Sequence, residues 1–415
     1  MKNIYDPVHG FIRCNDWESQ LIDSLPFQRL HSLRQLGIAY LVYPGATHTR
    51  FEHSLGVMVL ATEIFDRIVE TSDLSFSEDE KNYWRQILRL AALCHDLGHL
   101  PFSHVAESVL LGQGGHEEWT LHIIKSTHLR QLWEKFQQKF PQRNVEEDII
   151  KMSIGESSLS EFYPIPFSPL ERVLCEVITG DFFGADRIDY LLRDARCTGV
   201  AYGLFDYHQL IEMLRILPIN EEGWKMGVEE NGIEACEALL LARYFMHKRV
   251  YQYPTVKAYS FHLSRFMKAL YKDQFLNGDL DNYLSQTDSE VLAHVRQACS
   301  DKNSNLQSDA ISLSVRKKRF KAFSLMSVFS EETLQEIKKN LDIPDERISW
   351  TLSTDKPKNY GLSLPVQKRN STLIDASQCS SILIPSGSYG WVYVDPDYEK
   401  KFSEELEKAS FSYTH

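Results

Sequence analysis

Residues 89–105, "LRLAALCHDLGHLPFSH", end an apolar run on His95 and Asp96, with His99 and His104 close behind. Leu90 to Cys94 reads as a helix packed into a core, and a charge buried at its end is costly unless it is paired or metal-bound. Two ligands do not make a site, so partners are needed on other helical faces. "THTRFEHSLG" offers His53, with Arg50 three residues earlier on the same face. "GADRIDYLLRDA" places Asp186, Asp189, Tyr190, Arg193 and Asp194 on one polar helix face that either meets water or lines a pocket. Together His53, His95, Asp96 and Asp186 would give two nitrogens and two oxygens with room for water. Such a set suits a cation that acidifies its bound water and holds a phosphoryl oxygen. Acid–base groups are at hand in His99, His104, His116 and Glu117, histidine titrating near neutrality. Arg50, Arg187 and Arg193 are candidates to neutralise phosphate charge. Asp189 reads as a supporting group rather than a ligand.

The elements that must position these residues are mostly helices. Residues 1 to about 270 carry helical periodicity. Helices are expected in "WESQLIDSLPFQRLHSLRQLG" (broken by Pro26), "HTRFEHSLGVMVLATEIFDRIVE", "WRQILRLAALCHDLG", from His116 onward, and in "LERVLCEVITG", "DRIDYLLRDARCTG" and "YHQLIEMLRIL". "IEACEALLLARYFMHKRVYQ" and "VKAYSFHLSRFMKALYKD" are two more, and "GWKMGVEENG" reads as a short hairpin interrupting the helices. Beyond residue 280, "DSEVLAHVRQACSDKNS" and "SEETLQEIKKNL" read as helices. "RKKRFKAFSLMS", "RISWTLST", "GLSLPVQ", "SILIPS" and "GWVYVDP" read as strands. The expected class is mainly α, with a small α+β region at the C-terminal end.

With 415 residues the chain exceeds one small core. Its 43% hydrophobic and 25% charged content is ordinary for a globular protein. No apolar run reaches bilayer length and the first twenty residues have no signal-peptide pattern, so a cytosolic protein without membrane partners is expected. The seven cysteines form no C-x-x-C pair, which argues against a disulfide framework and a cysteine zinc site. A net charge of −12 disfavours nucleic acid as a partner but leaves room for a small phosphate-bearing ligand. "RKKRF" (Arg316 to Phe320) reads as a solvated face, His9 as a turn residue, and "GQGG" as a connection, not a phosphate loop, because no Lys-Ser/Thr follows it.

"DPVHGFI", "IDSLPFQRLHSLRQLG", "YPGATHTRFEHSLGV", "HDLGHLPFSH", "ADRIDYLLRDA" and "HKRVYQ" occur in that order over roughly residues 4 to 270. In these stretches the chain resembles the HD superfamily of metal-dependent phosphohydrolases, within it the branch of deoxynucleoside triphosphate triphosphohydrolases. The resemblance implies an HD domain over residues 1–275, with 276–415 as the α+β region. It implies that His53, His95, Asp96 and Asp186 bind a divalent metal ion, open among Mg, Mn, Fe, Zn and Co. Arg50 and Arg187 would meet phosphates, and His104 would protonate the leaving group in a pocket also lined by His99, His116 and Glu117. Tyr190 and Asp194 would hold the sugar, and Gln35 and Leu36 would screen the deoxyribose.

The implied reaction is hydrolysis of a dNTP to deoxynucleoside and triphosphate by a homo-oligomer. The alternatives are an HD phosphohydrolase for another nucleotide or phosphoester, and a non-catalytic nucleotide sensor. Asp23 and Gln28 match residues that bind a regulatory guanine nucleotide in the family's animal member, whereas His31 stands where that site has Arg.

Overall fold

The computed structural model of the chain describes residues 2–72, 76–112, 114–219, 223–272, 279–302, 304–316, 319–325, 331–352, 364–380, 382, 390–408 and 413–414. It opens with an antiparallel hairpin, β1 (Lys2–Asp6) and β2 (Gly10–Cys14), in register Ile4 to Ile12. The helical reading of this stretch misses that hairpin. Its signal was the period-2 burial of β2, where Ile12 and Cys14 point inward and Phe11 and Arg13 outward.

Helices α1 (Asp16–Ile22) and α2 (Leu25–Arg29) follow, with Pro26 in the first turn of α2, where its missing N–H costs nothing. The central pair is α3 (Arg50–Thr71) and α4 (Glu78–Cys94), packed along their length. Both starts carry reciprocal capping boxes, Thr49 with Glu52 and Ser77 with Glu80. Short α5 (His104–Leu110) and α6 (Gly115–Ile124) come next, then α7 (Thr127–Lys139), α8 (Val145–Ile154), α9 (Glu156–Phe162), α10 (Pro169–Thr179) and α11 (Ala185–Thr198). Leu55, Met58, Leu88, Ala91, Ile149, Val177 and Ile188 share one buried cluster, so α3, α4, α8, α10 and α11 converge on a single core.

One helix of the sequence reading is half wrong. In "YHQLIEMLRIL" only Tyr207–Glu212 is helical (α12); Leu214–Pro218 is strand β3, paired antiparallel with β4 (Trp224–Glu229). Leu214, Ile216 and Leu217 are buried there, and sheet pairing outweighs a short helix that would otherwise continue. Then come α13 (Ile233–Met246), a π-helical turn at His247–Tyr251, and α14 (Pro254–Tyr271).

Residues past 275 pack back onto what precedes them. Helices α15 (Leu280–Ser285), α16 (Asp288–Ser300) and α17 (Gln307–Val315) build a second cluster with α5 and α14 around Phe102, Tyr259, Phe266 and Val291. Strand β5 (Lys321–Leu325), helix α18 (Glu331–Asn340) and β6 (Ile348–Leu352) follow. Strands β7 (Pro365–Gln367) and β8 (Leu373–Asp375) then extend the β3–β4 sheet, β7 lying parallel to β4 with Val366 opposite Val228. Strand β9 (Gly390–Val394), helix α19 (Glu399–Lys408) and β10 (Tyr413–Thr414) complete a second sheet in the order β10-β5-β9-β6. The expected strand in "SILIPS" and the start of "GLSLPVQ" lie largely outside the described residues, as do Lys317 and Lys318 of "RKKRF" and Gln113 of "GQGG". The molecule is mainly α, and no helix among the described residues is long and apolar enough to cross a membrane.

Candidate metal centre and acid–base pocket

His53 lies in the first turn of α3, directly after the Thr49–Glu52 cap. His95 caps the C-terminus of α4, and Asp96 begins the turn beyond it. Asp186 sits in the first turn of α11, where the helix dipole favours a carboxylate. The turn after His95 is pressed onto α6: a Cβ at Gly98 would lie 2.0 Å from the carbonyl oxygen of His116. Gly98 N donates to Thr120 Oγ1 at 3.0 Å, and Tyr283 OH donates to the Gly98 carbonyl.

These side chains converge. His53 Nε2 lies 3.3 Å from His95 Nε2 and 3.0 Å from Asp186 Oδ1. His95 Nε2 is 3.5 Å from Asp96 Oδ1 and 3.6 Å from Asp186 Oδ1, and His53 Nε2 is 3.7 Å from Asp96 Oδ2. Donor atoms bonded at about 2.0–2.1 Å to one tetrahedral ion sit about 3.3–3.4 Å apart. His53, His95 and Asp96 each offer an atom within 4.8 Å of one another, a cluster that could hold a cation, and Asp186 approaches it from the side of the two imidazoles. Each imidazole also has its other nitrogen committed. His53 Nδ1 donates to Asp189 Oδ2 at 2.7 Å, and His95 Nδ1 to the Ala92 carbonyl at 2.7 Å. That fixes both Nε2 lone pairs toward the centre, as in carboxylate–histidine–metal arrangements. The electrostatics agree. Burial alone would lower the His53 imidazole, but Asp186 and Asp189 outweigh it and raise it to about 10: the site calls for positive charge. Asp96, despite its burial, is held well below the usual carboxylate range by Arg50, His95 and His99.

The polar face of α11 lines the interior. Asp189 is fully buried and accepts from His9 Nε2 at 2.6 Å, from His53, and from Arg193 Nε at 2.8 Å and Nη2 at 3.0 Å. His9 is thus a turn residue whose ring reaches the support of a metal-ligand candidate. Arg193 is 1% exposed and closed off by Asp189 and Asp6, so the expectation that it neutralises phosphate fails: both its partners are buried carboxylates.

Beside the centre is a hydrogen-bonded relay organised by Glu107, a residue that sequence reasoning missed. His99 Nε2 lies 3.1 Å from Asp96 Oδ1, and its Nδ1 contacts Glu107. His104 Nδ1 and His116 Nδ1 approach the other Glu107 oxygen at 3.1 and 3.2 Å. Glu117 Oε2 is 3.3 Å from His116 Nδ1, and the His99 and His116 rings stack at 3.7 Å. The side chain of His104 is 77% exposed, whereas His99 is buried. Burial and the nearby Arg50 charge lower His99 to about 4; Glu107 overcomes burial to raise His116. The signal for Glu107 was its spacing three residues after His104, on one face of α5.

On the phosphate side, Arg50 is a buried group, not a surface ion pair: its Nη1 meets Asp96 and its Nε donates to Ser103 Oγ at 2.9 Å. Arg187 Nε and Nη1 are buried without a hydrogen-bond partner among the described residues. Burial and the neighbouring Arg187 lower Arg243, a second cation that the sequence reading passed over. Burial also pushes up the Tyr190 hydroxyl. Asp194 has both oxygens engaged, by His48 Nε2 at 2.8 Å and by Tyr251 OH at 2.8 Å. Gln35 donates its backbone N–H to the His48 carbonyl, and its Oε1 is buried without a partner among the described residues; Leu36 caps the short helix at Gly37–Leu41. The three residues at the regulatory-site positions, Asp23 and Gln28 that match and His31 that does not, make local contacts. Asp23 pairs with Lys2, Gln28 donates to the Ile22 carbonyl at 2.8 Å, and His31 stacks on Phe51 at 3.5 Å. In "RKKRF", Arg316 reaches Tyr259 OH and Arg319 reaches Thr255 Oγ1.

Comparison with known proteins places this geometry. Residues 50–163 match the HD domain, and residues 205–353 match the HD associated region. An uncharacterized protein of Methanocaldococcus jannaschii is 38% identical over 261 residues, 62% of this chain and 47% of its own length. The deoxynucleoside triphosphate triphosphohydrolase SAMHD1 of Gallus gallus is 34% identical over 275 residues, 61% of this chain and 43% of its own. The chain therefore spans about half the length of the curated relatives it matches. A crystal structure of a hypothetical protein from Aquifex aeolicus superposes with TM-score 0.77 at 34% identity, covering 98% of this chain and 99% of that one. A phosphohydrolase from Bacteroides thetaiotaomicron shares the fold, with TM-score 0.74 at 23% identity over 95% of this chain and 99% of that one. The chain belongs to the HD-domain family, its HD domain followed by an HD-associated region.

Proposed function

We propose that the protein is a divalent-metal-dependent phosphohydrolase that cleaves deoxynucleoside triphosphates to deoxynucleoside and inorganic triphosphate. The observation that carries the hydrolase reading is the convergence of His53 Nε2 and His95 Nε2, each with its Nδ1 already bonded, on the carboxylates of Asp96 and Asp186. A divalent cation held by those four residues would supply Lewis-acid polarisation and an acidified water. The chain's own groups supply the rest. Arg50, anchored by Ser103, and Arg187, whose buried Nε and Nη1 have no hydrogen-bond partner among the described residues, would bind phosphate oxygens. Attack of water on phosphorus breaks the bond to the 5′ oxygen, which leaves needing a proton. His104 delivers it from its imidazolium, and Glu107 stabilises that cation and passes charge toward His99 and His116. The water's own proton is released to solvent, to which the His104 side chain at the pocket mouth is 77% exposed. Positioning and charge neutralisation are what phosphoryl transfer demands of a protein.

The triphosphohydrolase substrate is supported by the SAMHD1 relatives. Hydrolysis of another nucleotide or phosphoester uses the same residues. Purified protein with Mn²⁺ or Mg²⁺ is to be tested against dNTPs, NTPs and monophosphates, separating triphosphate from phosphate. Triphosphate release from dNTPs is expected. Release of single phosphates only would reassign the substrate, and no turnover with any of them would favour a nucleotide sensor. Self-association of the chain belongs to the same proposal, read by light scattering.

A further inference from the structure

The loop between the metal centre and α5 has an unusual backbone. Phe102 and Ser103 stand at φ 58 and 53, in the left-handed region that a bulky residue avoids. Such backbone persists only where its surroundings over-determine it. Three contacts do so. Phe102 is buried in the second cluster, and a Cβ at Gly37 would come within 3.2 Å of the Phe102 carbonyl oxygen. The third contact comes from far along the chain: Asp288 Oδ1 accepts from Phe102 N at 2.9 Å. The other oxygen of Asp288 accepts from Arg34 N at 3.1 Å and faces Arg34 Nη1 at 3.4 Å. Asp288 is 2% exposed, and the Thr287–Glu290 capping box fixes the start of α16 that carries it.

One buried carboxylate therefore ties together two loops. The first presents Ser103, whose Oγ holds Arg50, and then His104. The second presents Gln35 and Leu36, next to Arg34. We propose that Asp288 is a positioning residue: it holds Phe102–Ser103 in their left-handed backbone and so aims Arg50 and His104 at the phosphate. The segment matching the HD associated region thereby completes a site whose ligands lie in the helical core. This rests on the reading of Arg50 and His104 as phosphate-handling groups, and the test separates the two.

The full chain is compared with Asp288→Ala and Asp288→Asn at saturating Mn²⁺. Three properties are measured: hydrogen exchange in the peptide spanning residues 97–104, binding of inorganic triphosphate, and nucleotide hydrolysis. Bound metal is counted in each protein. In Asp288→Ala the Phe102 amide is expected to exchange at least about tenfold faster, and kcat to fall about tenfold to a hundredfold. Triphosphate binding is expected to weaken by about tenfold, with metal content unchanged. Asp288→Asn keeps one acceptor for Phe102 N and is expected to fall between. Rescue by Asn and unchanged metal loading are results that general loosening of the fold would not give. Unchanged exchange at residues 97–104, or kcat within about threefold of wild type in a folded Asp288→Ala protein, overturns the proposal. If the alanine protein does not fold, wild-type exchange in Asp288→Asn overturns it instead. If wild type hydrolyses no nucleotide, the functional reading falls, and loop exchange and triphosphate binding still decide the clamp.

Discussion

Asp189→Asn separates the support of the candidate metal ligands from those candidates themselves. In the native protein both Asp189 oxygens only accept, from His53, His9 and twice from Arg193. The carboxylate overcomes its burial and is held well below the usual range, chiefly by Arg193. An amide in its place sets an N–H against one donor or another. Turned toward His53, it drives the imidazole to the tautomer with hydrogen on Nε2, which removes the lone pair meant for the metal. Turned the other way, it faces Arg193, which cannot shed a proton. Losing such a support costs about tenfold to a hundredfold in metal affinity, or about 1.4–2.7 kcal/mol. Arg193 keeps Asp6 at 2.7 Å, so the added loss of folding stability should stay below the ~3–5 kcal/mol of a fully orphaned buried charge. Chelator competition with Co²⁺ or Mn²⁺ measures the affinity and circular dichroism the fold. Gly56→Ala is an independent route to the same carboxylate, since its Cβ would come 1.9 Å from Asp189 Oδ1. A folded Asp189→Asn protein that binds metal within about threefold of wild type would refute the tautomer argument.

Arg50→Lys keeps a charge but cannot reach both Ser103 and Asp96. Hydrolysis should fall by about a hundredfold with metal content unchanged, as shown by steady-state kinetics beside elemental analysis. Glu107→Gln leaves three imidazoles without their shared carboxylate. A drop in kcat of about a hundredfold and a shifted acid limb in the pH–rate profile are expected. Burial raises Asp148 to about 6, so its folded pKa lies above its unfolded value. Its contribution to stability is then complete below about pH 4 and lost as pH rises through 6. Asp148→Asn should therefore add roughly 1–3 kcal/mol at pH 7.5 and nothing near pH 4, read by urea unfolding at both.

The helices were legible where amphipathic periodicity is sustained, as in α3 and in α4 from Trp84 onward; the Thr49–Glu52 and Ser77–Glu80 caps that set their starts went unread, so α4 begins at Glu78, ahead of the expected start. Candidate ligands on those helices could be paired because residue type and helical face were both visible. Other features depended on contacts across the chain. His9 meets Asp189 and His48 meets Asp194 over sequence separations that no local pattern encodes. Arg193 looked like a phosphate group because its charge is plain in the sequence, whereas the two carboxylates enclosing it are a tertiary fact. The β1–β2 hairpin and β3 were lost for a related reason. Short strands owe their stability to a partner, and "LRILP" beside a helix carries too little signal alone.

The parallel pairing of β7 with β4 joins segments about 140 residues apart. During synthesis the β3–β4 hairpin leaves the ribosome long before its neighbour exists, with one flank of backbone amides and carbonyls open. Parallel addition is slow because a long loop must close first. Until it closes, that flank presents an unpaired edge open to pairing with a second nascent chain.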